Sequence, residues 1–387
     1  MADLQQHRQK FPALAEKNYF NFGGQGPLSR PALNAIISSY DKVQIQGPFS
    51  IAANQWAQAV TAAAKAAIAT ELKIATDNLA LTENVTAGCN IALWGIDWQA
   101  GDEVLVGDAE HPGIIGILQE LAARFGIKIN ICPIFDTLNA GDPTTVIAEH
   151  LTPKTRVVVV SHLIWNTGQV LPLKEICQIC HAQDVQVMVD AAQSVGCLDL
   201  NLTEIGVDYY AFTGHKWCCG PAGVGGLYVS PAAIANLKPT FIGWRGVKKW
   251  DSPTSVGLAA DASQYEVATS AYPLYAGLTE AIKLHQSWGD SSERYAKICE
   301  MSAYCWQVLN DIPAIACLKN TPPVSGLISF TVDAEKSHKA IVTTLEERGF
   351  CLRTLTYPDC IRACTHYFTS HAEIDALGVA IQALLAE

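Results

Sequence analysis

Apolar strand-like runs alternate with longer amphipathic stretches through the first two thirds of the chain. The run 156–162 is almost continuous valine, which is typical of a strand buried on both faces of a sheet. Because such alternation builds a mainly parallel sheet covered by helices, we expect ligands at the carboxyl ends of the strands. The predicted strands are 79–81, 103–106, 128–132, 156–162, 185–190, 210–213 and 226–229, and the predicted helices are 86–93, 113–125 and 173–182.

The pattern changes in the last third of the chain. A helical pattern covers 277–309, and a short strand at 326–332 and a helix at 339–348 follow. A chain of 387 residues is long enough for two domains. We therefore predict a large α/β domain over 16–280, and a smaller α+β domain built from 1–15 and 281–387.

Composition narrows the class of protein. Hydrophobic residues make up 49% and charged residues 16% of the chain, and the net charge is −11 without any basic run. This balance argues against nucleic acid as a partner. No apolar run is long enough to span a membrane, and the amino terminus has no signal-peptide core. We expect a soluble, cytoplasmic protein without a membrane partner.

The thirteen cysteines are scattered through predicted helices and strands. In a cytoplasmic protein most of them are expected to be small buried hydrophobic residues. Cys177 and Cys180 have the spacing of a redox or metal pair, but they lie in a helical pattern with no second Cys/His pair nearby. No metal site is predicted.

Lys216 is placed where a lysine can be chemically active. An apolar strand ends at Thr213, a polar turn presents His215 and Lys216, and a Gly/Pro-rich reversal follows. At the mouth of an apolar core, loss of hydration lowers the pKa of a lysine and makes the neutral amine a nucleophile toward an aldehyde. A solvated loop lysine is the alternative.

Upstream, the apolar strand 185–190 ends in Asp190, and Gln193 follows three positions later. Alone, Asp190 would be explained equally well as a helix cap. A strand followed by Asp-Ala-x-Gln, and a later strand followed by Thr-Gly-His-Lys at 213–216, resembles the fold-type I pyridoxal 5'-phosphate (PLP) enzymes of the aminotransferase class V group. That group includes cysteine desulfurases, selenocysteine lyases, kynureninases and cyst(e)ine C–S lyases.

The resemblance implies an α/β fold with a mainly parallel seven-stranded sheet and a smaller α+β carboxyl-terminal domain. It also implies that PLP is the cofactor. Lys216 would hold the aldehyde carbon, and the Asp190 carboxylate would keep the ring nitrogen protonated so that the ring is an electron sink.

A phosphate site is expected at the turn 82–90, which joins a strand to a helix. The N–H groups of a helix amino terminus bind anions, so Thr86 and Ala87 are candidate donors. The resemblance places the cofactor phosphate here, with Thr213 and His215 completing its contacts. A plain helix cap by Thr86 is the alternative.

The resemblance assigns two more contacts to the cofactor. His111 follows the strand 103–106, on the ligand side of the sheet, and would stack on the ring and carry protons. Asn166 would reach the phenolic oxygen beside Gln193. The pattern departs from that of desulfurases at Trp165, where those enzymes have Asn.

Two arginines resemble the substrate-binding segments of the family. Arg362 is the candidate for an α-carboxylate, against a surface salt bridge, and Arg353 for a second carboxylate on a longer substrate. Desulfurases carry a nucleophilic Cys on a long mobile loop between these segments. Here the connection 354–361 is too short, so Cys360 is expected to be fixed in place.

The segment 266–270 resembles one that, in the family, donates a Thr to the cofactor phosphate of the neighbouring subunit. Thr269 is therefore a candidate ligand in trans, which implies a homodimer with shared active sites. A local turn is the alternative explanation.

The function expected from these features is PLP-dependent β-elimination on cysteine or cystine. The products would be pyruvate, ammonia, and sulfide or persulfide, a sulfur source for an acceptor protein or for iron–sulfur cluster assembly. One alternative is a cysteine or selenocysteine desulfurase that gives alanine. Another is a non-catalytic, PLP-bearing scaffold, although intact Lys216 and Asp190 argue against it.

Overall fold

The fold is described from a computed structural model, which covers residues 3–387. The helices are α1 Leu4–Arg8, α2 Ala13–Glu16, α3 Arg30–Gln46, α4 Ile51–Leu72, α5 Val85–Gly95, α6 Pro112–Phe125, α7 Pro143–His150, α8 Leu173–His181, α9 Leu202–Ile205, α10 Pro231–Ile234, α11 Tyr272–Gln286, α12 Ser291–Asn310, α13 His338–Glu347 and α14 His371–Leu385. The strands are β1 Asn18–Tyr19, β2 Leu79–Thr82, β3 Glu103–Gly107, β4 Lys128–Cys132, β5 Thr155–Ser161, β6 Gln186–Asp190, β7 Tyr209–Thr213, β8 Gly225–Val229, β9 Val247–Ser252, β10 Ser255–Leu258, β11 Ile315–Cys317, β12 Leu327–Val332, β13 Phe350–Cys351, β14 Arg353–Thr356 and β15 Asp359–Cys364.

A seven-stranded sheet forms the centre of the larger part of the molecule. Its strand order is β2-β8-β7-β6-β5-β3-β4. Strand β8 runs antiparallel to both of its neighbours, and the other neighbouring pairs are parallel. The predicted fold class, a mainly parallel seven-stranded sheet within an α/β architecture, is confirmed.

Strand β5 shows why the sheet is buried on both faces. Side chains alternate across a strand, so Val158 and Val160 join one apolar cluster while Val157 and Val159 join another on the opposite face. All four are fully buried. This continuous valine run could only be stable between two layers of helices, as its sequence predicts.

A second, four-stranded antiparallel sheet, of order β11-β12-β15-β14, lies in the carboxyl-terminal part. Its apolar face packs with residues of α12, α13 and α14 in a separate cluster that also takes in Phe20. Strand β1 pairs with β13, which ties the amino-terminal segment to this part of the molecule. The division of the chain at residues 16 and 281 stays a prediction.

The helical pattern expected over 277–309 is two helices, not one. Helix α11 ends at Gln286, and α12 begins after Asp290, whose side chain forms a capping box with Glu293. The Asp and Glu spacing of this box is a start signal for a new helix. Within residues 3–387, no helix combines the length and the apolarity needed to cross a membrane.

Candidate active site

Four neighbouring strands of the large sheet end in, or lead directly to, polar side chains. Asp190 ends β6, Thr213 ends β7 and Ser161 ends β5, while Glu110 and His111 follow β3. Because these strands are parallel, their carboxyl ends meet at one edge of the sheet. Helix α5 begins at the same edge, so the sheet and this helix together define the floor of the site.

Lys216 lies in the turn that follows β7. Burial lowers the pKa of its amine to about 8; the negative charge of Asp190 opposes this shift, and the positive charges of Arg362 and Arg353 add to it. An amine with this pKa is partly neutral near pH 8 and can act as a nucleophile or a base. The predicted Lys216, Asp190, Arg353 and Arg362 therefore act on one another in a single site.

The backbone on either side of Lys216 is held by other parts of the chain. The His366 ring is 3.0 Å from the Trp217 carbonyl oxygen, and the His285 ring is 2.9 Å from that of Cys218. Gly26 donates its N–H to the carbonyl oxygen of His215 at 2.8 Å. A Cβ atom at Gly26 would lie 2.2 Å from the Lys216 carbonyl oxygen, so only glycine fits there.

The amino-terminal segment 21–26 is thus part of the site, and sequence reasoning missed it. Its signal was the Gly-Gly-Gln-Gly run at 23–26. Gly23 accepts a hydrogen bond from Gln193 and packs against the guanidinium group of Arg362. Such close backbone approach explains glycine at this position.

Asp190 is buried, and one carboxylate oxygen, Oδ1, accepts the N–H of Ala192 at 2.9 Å. Burial raises the pKa of Asp190, while the hydrogen bond from Ala192 and the positive charge of Lys216 oppose that shift. A cationic partner would therefore stabilise the ionised carboxylate strongly. A protonated pyridine nitrogen is such a partner.

Most of the hydrogen-bonding groups of the Gln193 side chain are already paired within the protein. Its Nε2 donates to the Gly23 carbonyl oxygen at 3.0 Å, and its Oε1 accepts from Trp217 Nε1 at 2.8 Å. One Nε2 hydrogen is left for a ligand. The cofactor contact predicted for Gln193 stays a prediction and is restricted to that single donor.

At the predicted phosphate site, the helix cap is Asn84 and not Thr86. Asn84 Oδ1 accepts the N–H of Ala87 at 2.9 Å, so Ala87 already has a partner. The N–H groups of Val85 and Thr86 are left for an anion at the start of α5. Thr86 is exposed, which leaves its hydroxyl accessible to a ligand.

Thr213 and His215 form a pair at the same edge. Thr213 Oγ1 lies 2.6 Å from His215 Nδ1. Burial, and then the charge of Lys216, lower the pKa of His215, which keeps its ring neutral near pH 7. With Nδ1 engaged by Thr213, the other ring nitrogen is available to a phosphate oxygen.

His111 caps helix α6, because its Nδ1 accepts the N–H of Gly113 at 3.1 Å. Its ring meets the Trp165 ring edge to face, with centroids 5.4 Å apart. Loss of hydration lowers the pKa of His111, Asp190 opposes the shift, and Lys216 and Arg353 add to it. His111 is therefore a neutral imidazole beside the lysine, and its Nε2 is free of the cap.

Three buried polar atoms next to these groups have no hydrogen-bond partner within residues 3–387. They are Trp165 Nε1, Asn166 Oδ1 and Arg362 Nε. Asn166 Nδ2 is 2.9 Å from the Tyr357 carbonyl oxygen, and Arg362 donates to the Trp165 carbonyl oxygen at 2.9 Å. Orphaned buried groups are costly, so a polar ligand is expected against them.

Arg353 and Arg362 lie on β14 and β15, paired directly with each other. Arg362 is buried, whereas Arg353 is exposed. The connection between the strands is a two-residue turn at Tyr357 and Pro358, since Thr356 pairs with Asp359. This segment is a tight hairpin and not a mobile loop.

Cys360 lies within β15, fully buried, and burial raises its thiol pKa to about 12. The expectation that it is fixed is confirmed. A second thiol that sequence reasoning did not single out, Cys364, is closer to the chemistry. Burial raises its pKa, and Arg362, the Gly23 N–H and Lys216 all oppose that shift.

Thr269 is the one predicted site residue that lies apart from this group. It lines a groove of about 760 Å³ whose other residues include Lys65, Trp244 and Arg245. Among residues 3–387, those that line this groove include neither Lys216 nor Asp190. Its role as a ligand in trans stays a prediction, as does the dimer.

Comparison with known proteins settles the family. The model of the family described as aminotransferase class-V matches residues 29–377. The chain belongs to that family. It is similar to the structure of the cystine C–S lyase C-DES in complex with its reaction product cysteine persulfide, with 51% identity and a TM-score of 0.94, over 96% of this chain and 98% of that chain.

The chain is also similar to two further proteins. A lysine-to-alanine variant of C-DES, with glycine covalently linked to its PLP cofactor, is 50% identical with a TM-score of 0.95, over 97% of this chain and 98% of that chain. The probable cysteine desulfurase of Methanothermobacter thermautotrophicus is 26% identical, over 97% of this chain and 96% of the relative.

The residues of this class-V site fit PLP. A buried carboxylate suits the ring nitrogen, a lysine of lowered pKa suits the aldehyde, and free helix N–H groups with a Thr–His pair suit the phosphate. Gln193 and the orphaned Asn166 and Trp165 atoms are within the same group of residues. The chain is thus a PLP-dependent enzyme by family, and its own side chains agree.

Proposed function

We propose that the protein is a PLP-dependent carbon–sulfur lyase that acts on cystine or cysteine. Cystine would give pyruvate, ammonia and cysteine persulfide; cysteine would give sulfide in its place. The observation that carries this proposal is the tight β14–β15 hairpin, which keeps Cys360 buried in a strand and leaves it no mobile loop. A desulfurase needs a thiolate that can reach the substrate sulfur.

The arginine pair favours a substrate with two carboxylates. Paired residues on neighbouring antiparallel strands point to the same face, so Arg353 and Arg362 offer two cationic groups side by side. Arg362 would bind the α-carboxylate at the reacting end, and Arg353 the carboxylate of the distal half of cystine. Guanidinium groups bind carboxylates through two parallel hydrogen bonds.

Each catalytic role follows from the surroundings of the residue. When bound, PLP supplies an electron sink for the substrate Cα. Lys216 Nζ, whose pKa of about 8 leaves it partly neutral near that pH, would take the proton from Cα. The ionised Asp190 carboxylate would keep the ring nitrogen protonated, and His111 Nε2 would be available to carry a proton. No protein thiol is required for the sulfur group to leave.

A desulfurase is the second candidate, and one observation supports it. The relative from Methanothermobacter thermautotrophicus, named a probable cysteine desulfurase, aligns with 97% of this chain. The two activities release different organic products, alanine from a desulfurase and pyruvate from a lyase. The experiment is therefore to incubate the purified holoenzyme with cysteine and with cystine, and to measure pyruvate, alanine and ammonia.

Pyruvate with an equivalent of ammonia would support the lyase. Alanine would overturn it in favour of the desulfurase, and no turnover of either substrate would leave the PLP-bearing scaffold. The proposal extends to a homodimer, to a sulfur-acceptor protein and to supply of sulfur for iron–sulfur clusters. A cytoplasmic location also stays a prediction.

A further inference from the structure

A second buried carboxyl group lies behind the cofactor-binding edge of the sheet. Glu110 is in the turn between β3 and α6, directly before His111. Its Oε1 accepts the Ser161 N–H at 2.7 Å, and its Oε2 is 2.6 Å from the Ser161 hydroxyl oxygen. Ser161 is the last residue of β5, where it pairs with Asp190 of β6. Glu110 therefore reaches Asp190 through a single residue.

The charges around Glu110 favour its neutral form. The titratable groups that face it are Asp190 on β6, Asp108 in its own turn, and the thiols Cys89 on α5 and Cys132 on β4. Within residues 3–387, no lysine or arginine pairs with its carboxyl group. Ionising two carboxyl groups in one buried site costs free energy, because the two negative charges repel each other.

Asp190 must be the ionised member of the two if it is to hold a protonated ring nitrogen. A negative charge on Asp190 then favours the neutral form of Glu110. Burial raises the pKa of Glu110 to about 8, the hydrogen bonds from Ser161 oppose that shift, and Asp190 adds to it. Burial and the neighbouring carboxylates thus outweigh the hydrogen bonds from Ser161 and favour a neutral acid near pH 7.

We propose that Glu110 is a positioning residue, held as the neutral acid, which clamps the His111 turn to the end of β5 and leaves Asp190 as the ionised member of this pair. The clamp acts on two elements of the site together. It sets the position of the ring that would stack on the cofactor, and it avoids a second negative charge beside Asp190. This inference rests on the proposed PLP chemistry.

Glu103 provides a matched control at the opposite end of the same strand. Its carboxylate accepts hydrogen bonds from Thr152 at 2.6 Å and Asn130 at 2.8 Å, which lower its pKa. It is therefore an ionised carboxylate with two side-chain partners, in contrast to Glu110. Glu103→Gln tests the loss of a strand-end carboxyl without touching the site.

The first measurement is the infrared spectrum of the holoenzyme at neutral pH. We expect a carbonyl band from a protonated, buried carboxylic acid that is absent in Glu110→Gln and retained in Glu103→Gln. The band should fade as the pH rises through about 8, because the acid then ionises. A parent protein without the band, or a Glu110→Gln variant that keeps it, would overturn the assignment.

The second measurement is PLP affinity, by titrating cofactor into the cofactor-free form of each variant. Glutamine has the shape of the neutral acid, so Glu110→Gln should weaken binding by no more than about threefold, whereas Glu110→Ala should weaken it by about tenfold or more because Ser161 loses its partner. Equal losses in the two variants, or none in the alanine variant, would refute the clamp. If Glu110→Ala does not fold, the PLP affinity of Glu110→Gln and the infrared band of the parent protein still test whether Glu110 is a neutral acid.

The two measurements also separate this inference from the proposed function. A parent protein that takes up no PLP would defeat the proposed function. The infrared band would still report whether Glu110 carries a proton. A parent that binds PLP and turns over cystine, but shows no such band, would defeat the inference alone.

Discussion

Arg353 and Arg362 lie directly opposite each other on β14 and β15, so two like charges share one face of the small sheet. Like charges directly opposite on neighbouring strands are destabilising. Burial of Arg362 adds to this cost and lowers its pKa. An anionic ligand bound between the two arginines would offset both the charge repulsion and the burial of Arg362. We propose that this ligand is a substrate with two carboxylates.

The arginine pair predicts a difference between substrates. Arg362→Gln should lower kcat/KM for cysteine and cystine alike by about 100-fold, since a charged, bidentate contact is lost. Arg353→Gln should raise KM for cystine by about tenfold and hardly change that for cysteine. The control is Arg348→Gln, which removes an exposed arginine paired with Glu387. Equal effects of Arg353→Gln on both substrates would contradict the assignment.

Lys216 should be the residue that carries the cofactor. Borohydride reduction of the yellow holoenzyme should fix the label on the peptide that contains Lys216, and Lys216→Ala should abolish turnover. Asp190→Ala should weaken cofactor retention and lower kcat by about 10²–10⁴-fold, a smaller loss. Lys238→Ala, an exposed lysine paired with Asp97, is the control. Peptide mass spectrometry and steady-state kinetics check both outcomes, and a label on another lysine would end this assignment.

Cys360 should be dispensable for chemistry. Cys360→Ala removes a buried side chain from β15 and should cost about 1–2 kcal/mol of unfolding free energy, but cystine turnover should be largely kept, with pyruvate as the product. Thermal unfolding and product analysis measure the two effects. A loss of activity of about a hundredfold in a folded, PLP-loaded variant, together with a persulfide trapped on Cys360, would restore the desulfurase mechanism.

Thr269 and Lys216 allow a test of the shared site by complementation. In a mixed dimer of Lys216→Ala and Thr269→Ala subunits, a trans contact leaves one site with both native residues. Activity should therefore return when two inactive or weakened homodimers are mixed and allowed to exchange subunits. If Thr269 acts within its own chain, both sites carry a defect and no activity returns. Size-exclusion chromatography with light scattering confirms the dimer on which the test depends.

Buried histidines below the lysine turn predict an acid-sensitive fold. Burial lowers the pKa of His7 to about 4 and that of His366 to about 3, and it places the pKa of His285 well below its usual value. In the folded protein these histidine pKa values lie below the unfolded value of 6.5, so the unfolded state takes up protons first as the pH falls. The contribution of the neutral histidines to the free energy of unfolding is therefore fully present above about pH 6.5 and is lost as the pH falls toward the folded-state pKa values. Each histidine contributes about 1.4 kcal/mol per pH unit in that range.

Denaturant unfolding at a series of pH values measures this loss. His7→Gln should reduce the slope of unfolding free energy against pH by about one proton between roughly pH 4 and 6. The exposed His371→Gln variant should not reduce it. Unfolding free energy that rises on acidification through this range would contradict the prediction.

Much of the fold could be predicted from local pattern. The predicted strand 128–132 has the observed bounds, and each of the other predicted strands agrees with the structure to within one residue, because period-two alternation and buried valine runs are strong signals. The strands β1, β9 to β11 and β13 to β15 were not predicted. The break between α11 and α12 was missed, although Asp290 and Glu293 carried its capping signal. In the site, Asp190 and Lys216 could be found because each lies at or just after the end of a predicted strand, and the resemblance of their motifs to the class V enzymes gave each a role.

Other features depended on contacts between residues far apart in the chain. The hydrophobic pattern of the sequence does not predict three contacts in the site. They are the close approach of Gly26 to Lys216, the hydrogen bond from the Ala87 N–H to Asn84, and the hydrogen bond between Gln193 and Trp217. That Arg353 and Arg362 lie directly opposite each other is known only from the register of the β14–β15 hairpin. Side-chain chemistry and the alternation of strands and helices along the chain are local properties, so the sequence by itself determined the α/β class, the lysine and its carboxylate partner. Which polar groups are already paired, and which remain for a ligand, was decided only by the tertiary structure, because hydrogen-bond partners are chosen by proximity in space.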